Sequence, residues 1–177
     1  MENNEIRNRI KTLRNALSKS EVLSLSDSVT NKVLSLNFGD YKNVFIYRSF
    51  KNEVDTNRLI EHFLSENKTL SFPVIKGEYM VAGVPKGDKN APSKFGTIEP
   101  TDYEVCERVD LCFIPMLACD KNKNRLGYGK GYYDKFLATH PCLKIGLCYD
   151  FQVVDEILAN EWDVPLDIIV TNSEIIK

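Results

Sequence analysis

Short apolar segments alternate with segments of helical periodicity along this chain, and that alternation limits the folds open to it. Strands are predicted at 44–47, 69–74, 111–114, 144–147 and 168–171. Helices are predicted at 3–18, 20–36, 55–65 and 131–139. Alternating strands and helices build a sheet that is covered by helices on both faces. The sequence therefore predicts an α/β fold, in a single domain over residues 1–177.

The first predicted helix carries two stripes of side chains. Its apolar stripe consists of Ile6, Ile10, Leu13 and Leu17. Its cationic stripe consists of Arg7, Lys11 and Arg14. At roughly 100° per residue, the cations lie about a quarter-turn from the apolar residues. We expect them along the margin of the buried face, where they form either a solvated surface or part of a ligand site.

Local signals also place the helix ends and the loops. Ser20 is a candidate N-cap of the second helix, and the third begins at Asp55 or Thr56. Residues 76–105 hold much of the glycine and proline, which predicts turns with short strands. Residues 118–130 are predicted to be a loop that leads into the last helix.

Charge and composition exclude several classes of protein. The net charge of −2 argues against a dedicated nucleic-acid binder. No apolar run approaches the roughly 18 residues of a membrane span, and the polar N-terminus is unlike a secretion signal. The five cysteines form no Cys-x-x-Cys pair, so we expect buried, unreactive thiols rather than a zinc site or disulfides. The sequence predicts a cytoplasmic protein.

Residues 125–134 read Arg-Leu-Gly-Tyr-Gly-Lys-Gly-Tyr-Tyr-Asp and contain three alternating glycines. Glycine permits positive φ and lets the backbone approach a ligand closely. Unpaired N–H groups at the start of the following helix favour phosphate. Arg125 can clamp two phosphate oxygens, while Lys130 acts as a point charge. The segment is either a flexible turn or a phosphate cradle, and its flanking charges favour the cradle.

Two common phosphate motifs do not match this segment. A Walker A loop requires Gly at 124 and Ser or Thr at 131, where this chain has Asn124 and Gly131. A dinucleotide fingerprint requires glycine at 132, where Tyr132 stands. Asp134 falls in the first helical turn, where it either stabilises the helix dipole or binds magnesium. Because neighbouring helical residues point about 100° apart, we expect only one of Tyr132 and Tyr133 to face the site.

The glycine segment, preceded by Asp120, closely resembles the signature of 5-formyltetrahydrofolate cyclo-ligases, also called methenyltetrahydrofolate synthetases. Weaker matches follow in the family's order: Glu53-Val54-Asp55-Thr56, Ile98-Glu99-Pro100, Ile145-Gly146-Leu147, Gln152 and Trp162-Asp163-Val164-Pro165-Leu166-Asp167. The resemblance covers nearly the whole chain, from Arg7 to Thr171. Two positions depart from the family: Asn3, where lysine is frequent, and Lys123, where glycine is usual.

The resemblance implies a three-layer α/β sandwich with a mostly parallel central sheet, of the kind found in sugar-phosphate isomerases and CoA transferases. It also implies ATP-dependent cyclisation of 5-formyltetrahydrofolate to 5,10-methenyltetrahydrofolate. In this reaction ATP phosphorylates the formyl oxygen, the neighbouring side-arm nitrogen attacks the activated carbon, and ADP and phosphate are released. Such chemistry asks mainly for positioning and charge neutralisation, so no nucleophilic side chain is needed.

Roles for individual residues follow from the same resemblance. ATP would be held by Arg7, Arg125, Leu126, Gly127, Tyr128, Gly129, Lys130, Gly131, Tyr132 and Tyr133. Arg125 and Lys130 would also be catalytic. The folate would contact Arg48, Glu53 and Tyr133, since a carboxylate such as that of Glu53 accepts two hydrogen bonds from the pterin edge. Magnesium would bind Asp134 and Asp167.

Two other functions remain open from the residues. A sugar-phosphate isomerase of similar architecture would need a general base beside the phosphate and would not respond to ATP. A non-catalytic nucleotide- or folate-binding module would bind ligands without turnover, and the departures at Asn3 and Lys123 leave room for it. We expect a monomer with reduced folate and ATP as its small-molecule partners, and with neither nucleic acid nor membrane among them.

Overall fold

The computed structural model describes residues 2–177, in which strands and helices alternate. The helices are α1 (Asn3–Ala16), α2 (Lys19–Leu34), α3 (Asn57–Ser65) and α4 (Tyr132–Thr139). The strands are β1 (Asn43–Ile46), β2 (Thr69–Lys76), β3 (Tyr79–Pro85), β4 (Asn90–Pro92), β5 (Ile98–Pro100), β6 (Tyr103–Val105), β7 (Leu111–Pro115), β8 (Ala118–Asp120), β9 (Arg125–Leu126), β10 (Leu143–Leu147), β11 (Val153–Val154), β12 (Ile168–Val170) and β13 (Ile175–Ile176). A 3₁₀ turn at Asp150–Gln152 precedes β11.

An eight-stranded sheet forms the centre of the molecule, in the order β13-β12-β10-β7-β1-β2-β3-β6. The neighbours from β12 through β10, β7 and β1 to β2 pair in parallel. The edges are antiparallel, with β13 beside β12 on one side and β3 and β6 beyond β2 on the other. The predicted α/β fold with a mostly parallel sheet is confirmed.

Helices cover both faces of this sheet because alternate residues of each strand point to opposite sides. Val44 and Ile46 of β1 pack in a cluster with apolar residues of α2 and α3. Phe45, between them, points the other way and stacks on Phe136 of α4, with ring centroids 4.6 Å apart. The two apolar clusters give the three layers of the sandwich.

The helix ends differ in part from the prediction. The N-cap of α2 is Ser18, so the prediction of Ser20 is wrong. The Ser18 hydroxyl accepts from the Glu21 N–H at 3.3 Å, while the Glu21 carboxylate accepts from the Ser18 N–H at 2.8 Å. This reciprocal capping box satisfies two backbone donors at once. Ser20 has no equivalent partner with which to form such a box. Thr56 precedes α3 as its N-cap residue.

Two segments predicted as turns or loops contain more strand than expected. Within 76–105, β3 runs for seven residues and pairs with β2 across a turn at Gly77, whose φ is 60°. Within 118–130, β8 and β9 join β11 in a small three-stranded sheet. Lys123 lies in the turn between β8 and β9 and has a φ of 66°. This left-handed conformation favours glycine, which explains why glycine is usual at this position in the family.

The stripes of α1 are only partly as predicted. Ile6 and Ile10 are buried in a cluster with Leu117 and Leu126, but Leu13 is 40% exposed. Arg14, expected at the margin of the buried face, is itself only 3% exposed. Arg14 therefore lies within the buried face of the helix rather than at its margin.

The cysteines and the helices relate to two classes of protein that the sequence argued against, namely zinc or disulfide proteins and membrane proteins. Cys112, Cys119 and Cys148 are fully buried, as expected, while Cys106 and Cys142 are partly exposed, and all five thiols are free. None of the helices in the described part of the chain has the length and apolar character that crossing a membrane requires.

Gly146 lies at the centre of the sheet, where β10 pairs with β7 and β12. A Cβ there would overlap the ends of the Met116 and Leu166 side chains. We expect Gly146→Ala to cost about 1–3 kcal/mol of unfolding free energy through overpacking. Thermal unfolding would show this as a fall in Tm of about 2–12 °C. Gly87→Ala is the matched control, since its Cβ would meet no atom within 4 Å; an equal fall in both variants would contradict the packing argument.

Candidate active site

A cavity of about 600 Å³ opens at the carboxyl ends of the central parallel strands, the usual ligand position in an α/β sheet. Pro115 ends β7 in its wall, and Tyr47 and Arg48 follow β1. All of the predicted site residues except Asp167 line it: Arg7, Arg48, Glu53 and the continuous segment 125–134. The structure thus brings into one space the residues that the sequence predicts for nucleotide and for folate.

The glycine segment forms one wall, between the end of β9 and the start of α4. Gly129 and Gly131 adopt φ of 85° and 68°, in the region that favours glycine. Gly131 is the N-cap of α4 and offers no side-chain acceptor to the first N–H groups of the helix. Arg7 of α1 fixes the segment from outside, because its Nε donates to the Gly127 carbonyl at 3.0 Å. Backbone donors at a helix start and a guanidinium therefore face the same cavity.

Arg125 and Asp134 form an ion pair at the base of this wall. The Arg125 Nη2 donates to the Asp134 Oδ1 at 2.7 Å, with the arginine side chain 5% exposed. Its Nε is buried and has no hydrogen-bond partner among residues 2–177. Lys130, on the same segment, is exposed at the cavity. Arg125 is thus held in place yet keeps donor capacity, and Lys130 supplies a mobile charge.

Glu53 lies in a second wall of the cavity, in the loop between β1 and α3, and is only 7% exposed. Its Oε2 accepts from the Phe50 N–H at 2.9 Å. Burial raises the pKa of the Glu53 carboxyl, and the Arg14 guanidinium and the Phe50 N–H partly offset that rise. Arg48 lies nearby with its guanidinium 4.3 Å from the centre of the Phe72 ring.

Tyr132 and Tyr133 both line the cavity, so the prediction that only one faces it is wrong. The Tyr132 hydroxyl donates to the Gly77 carbonyl at 3.0 Å, which places its ring on the outer rim. The Tyr133 ring lies 6.3 Å from that of Phe45 and 5.6 Å from the Arg125 guanidinium. The cavity extends across the first turn of α4, and residues 100° apart there reach different parts of it.

Asp167 lies outside the cavity. Its Oδ2 accepts from the Lys144 N–H at 2.7 Å and pairs with the Lys144 ammonium at 2.8 Å. Asp163, four residues earlier in the same motif, lines the cavity instead. No group of three or more His, Cys, Asp or Glu side chains in the described chain could hold a metal alone. A magnesium ion here would therefore depend on substrate phosphates beside one or two carboxylates, which is its usual arrangement.

Sequence reasoning missed other residues at the cavity. Phe95 and Trp162 stand on its rim with exposures of 40% and 65%. Asn3, already noted as a departure from the family, also lines it, with its amide bonded to the Leu158 backbone. An aromatic residue in a turn-rich segment gives no periodic signal, so Phe95 is identified only by the folded structure. Trp162 could have been identified from the sequence, because it adjoins Asp163 in a motif that matches the family.

Comparison with known proteins decides which of the open functions applies. The model of the 5-formyltetrahydrofolate cyclo-ligase family matches residues 1–172. This chain belongs to that family. It is 32% identical to a 5-formyltetrahydrofolate cyclo-ligase of Mycoplasma genitalium, over 97% of this chain and 99% of that one. It is 31% identical to a cyclo-ligase of Haemophilus influenzae, over 94% and 96% of the two chains.

A solved structure of a 5,10-methenyltetrahydrofolate synthetase shares the fold. The structure of 5,10-methenyltetrahydrofolate synthetase of Aquifex aeolicus superimposes with a TM-score of 0.87 and 34% identity, covering 99% of this chain and 92% of that one. The family makes the chain an ATP-dependent ligase of folate one-carbon metabolism. A sugar-phosphate isomerase and a non-catalytic module are not favoured.

Proposed function

We propose that this cyclo-ligase converts 5-formyltetrahydrofolate to 5,10-methenyltetrahydrofolate in the cavity described above, with ATP as co-substrate. The supporting observation is that one cavity joins a cationic glycine segment to a buried carboxylate. Residues 125–134 form one wall of it and Glu53 lies in a second wall. A phosphate-binding wall in the same cavity as an acceptor for a pterin suits the transfer of a phosphoryl group between two bound molecules.

The glycine wall carries the first step. Arg7 and the segment from Arg125 to Tyr133 bind ATP, with the backbone N–H groups at the start of α4 directed at its phosphates. The formyl oxygen attacks the terminal phosphorus, and the bond from that phosphorus to ADP breaks. Arg125 and Lys130 neutralise charge on the transferred group, which is the main demand of phosphoryl transfer.

The folate wall carries the second step. Glu53 accepts hydrogen bonds from the amino-pyrimidine edge, and Arg48 and Tyr133 complete the contacts with the ring system. The side-arm nitrogen, held beside the phosphorylated formyl carbon, attacks it, the nitrogen gives up its proton, and phosphate leaves as the methenyl bridge forms. The residues contribute orientation and exclusion of water, which would otherwise hydrolyse the activated carbon.

Magnesium is proposed to bind at Asp134. Its carboxylate lines the cavity, and both of its recorded hydrogen bonds, from Arg125 and the Val164 N–H, reach Oδ1. A bound magnesium ion would offset the negative charge of the ATP phosphates. We do not extend this role to Asp167, because its carboxylate binds Lys144 outside the cavity.

The reaction is tested by incubating purified protein with 5-formyltetrahydrofolate, ATP and magnesium and following the near-ultraviolet absorbance of the methenyl product. We expect growth of this signal, with none when ATP is omitted and a loss when a chelator removes magnesium. Folded protein that stabilises thermally with both ligands yet gives no signal would support the non-catalytic module instead.

Glu53→Gln tests the folate wall. Its amide presents an N–H where the carboxylate accepts, so one hydrogen bond to the pterin is lost. We expect KM for 5-formyltetrahydrofolate to rise about ten- to hundredfold, the equivalent of a hydrogen bond to a charged group. Steady-state kinetics measure this, with Glu104→Gln on the exposed edge strand as the control. An unchanged KM for folate would remove Glu53 from the site.

We further infer that the enzyme acts as a cytoplasmic monomer. The five free cysteines suit a reducing compartment. The residues proposed for ATP, folate and magnesium all line a cavity within a single chain, which is what supports a monomer.

A further inference from the structure

Arg14 is a buried arginine that does not line the cavity. It lies in the last turn of α1, two turns after Arg7, and is 3% exposed. Burying a guanidinium is costly unless charge and hydrogen bonds compensate. The partners that compensate for its burial therefore indicate what this arginine does.

Those partners belong to both walls of the cavity. The Arg14 Nη2 lies 3.3 Å from the Tyr128 hydroxyl on the glycine segment and 3.9 Å from the Glu53 Oε1. Its Nη1 donates to the Met116 carbonyl at 3.5 Å. The Arg14 carbonyl accepts from the Asn52 side chain at 2.6 Å, and Asn52 directly precedes Glu53. Side chain and backbone of Arg14 thus both secure the loop that carries Glu53.

We propose that Arg14 is a positioning residue for the folate, which from behind the cavity wall holds the Glu53 carboxylate as a fixed, charged acceptor. This inference rests on the proposed function of Glu53. Arg14 itself touches no space open to substrate, so it acts through Glu53 and is not a catalytic residue.

The charges around Glu53 explain why Arg14 is needed. Arg14 is the salt-bridge partner of Glu53 in the described chain. Glu53 in turn acts on four nearby phenols, whose pKa values are raised mainly by burial and in part by the Glu53 charge, so that they stay neutral and give Glu53 no counter-charge: Tyr47, Tyr128, Tyr133 and Tyr149. Without the guanidinium, nothing but the Phe50 N–H opposes the effect of burial on Glu53. A protonated Glu53 would be a donor at one oxygen and could not accept two hydrogen bonds.

Arg14→Gln is the test, because glutamine keeps a polar side chain toward Met116 and Tyr128 while removing the charge. At pH 7 we expect KM for 5-formyltetrahydrofolate to rise about tenfold or more, the cost of one lost hydrogen bond to a charged group, because without Arg14 less of Glu53 is the ionised, twofold acceptor. As pH rises, Glu53 ionises even without Arg14, so KM should fall back toward the wild-type value. KM for ATP should change by less than about threefold.

Two further variants make the test specific. Arg14→Lys keeps the charge, and its KM for folate should lie between those of wild type and Arg14→Gln at pH 7. Arg58→Met removes an arginine whose ion pair with Asp27 is exposed, and should leave both KM values unchanged. If Arg14→Gln unfolds, the double variant Arg14→Gln/Glu53→Gln should recover Tm because no unpaired buried charge is left. In that case KM for folate is compared between wild type and Arg14→Lys.

The outcomes separate this inference from the proposed function. A folded, active Arg14→Gln with wild-type KM for folate, or with a raised KM that does not depend on pH, would overturn the role of Arg14. An inactive wild-type enzyme would instead overturn the proposed function. An active enzyme in which Glu53→Gln has no effect would remove the partner through which Arg14 acts.

Discussion

Lys130→Met is expected to lower kcat/KM about 10³-fold, the upper end of what one lost charge-stabilising group costs. Lys130 is exposed on the glycine segment, and within residues 2–177 no hydrogen bond or ion pair of its side chain is recorded. Its charge is therefore free for the phosphoryl group, and removing it costs the fold almost nothing. The loss should appear in kcat more than in KM for folate, since the Lys130 ammonium would stabilise negative charge on the phosphoryl group during its transfer.

The absorbance assay measures this effect, and thermal unfolding checks the fold. Lys121→Met, an exposed lysine at the start of the β8–β9 turn, is the matched control and should retain wild-type kcat/KM. An equal loss in both variants would mean a general effect of surface charge. A Lys130→Met enzyme within fivefold of wild type would refute the catalytic role of this lysine.

Asp134→Asn is expected to lower kcat/KM about 10²–10³-fold, because in the proposed site one carboxylate and the substrate phosphates together would hold the magnesium ion. Asparagine keeps an oxygen toward Arg125, so the hydrogen bond at 2.7 Å is preserved while the charge is lost. Raising the magnesium concentration should restore part of the activity, which a purely structural defect would not allow. Kinetics over a magnesium titration measure both effects.

Thermal stabilisation by magnesium and ATP gives an independent measurement for the same variant. Wild type should gain stability in proportion to ligand concentration over Kd, and Asp134→Asn should gain less at equal concentrations. Asp40→Asn, at an exposed position before β1, serves as the control. A variant that requires the same magnesium concentration as wild type would exclude Asp134 as the metal ligand.

Local pattern was enough to predict the elements that build the sheet. Residues 44–47 and 111–114 are apolar and correspond to β1 and β7, which lie at its centre. β3 was not predicted because Gly83 and Pro85 interrupt its apolar pattern, and it is stabilised by pairing with β2 rather than by local preference. Ser18 and Ser20 are both acceptable caps locally, and the contact with Glu21 decides between them.

Part of the cavity could be predicted because its sequence is locally unusual. Three glycines beside Arg125 and Asp134 indicate the proposed phosphate wall from the sequence alone. Asp163 and Asp167 share one motif, but Asp163 lines the cavity, while Asp167, directly before β12, is held on Lys144 of the neighbouring strand β10. Arg14 was expected at the margin of the buried face, in a solvated surface or a ligand site, because the sequence carries no information on what that side of α1 contacts.

The exposed Trp162 gives this protein a natural optical probe. It is the single tryptophan of the chain, so its emission is not mixed with that of any other indole. With 65% of its surface open to water at the cavity rim, its emission is expected to change when a ligand occupies the mouth. Stopped-flow fluorescence on the unlabelled enzyme would then follow ligand binding and release separately from turnover.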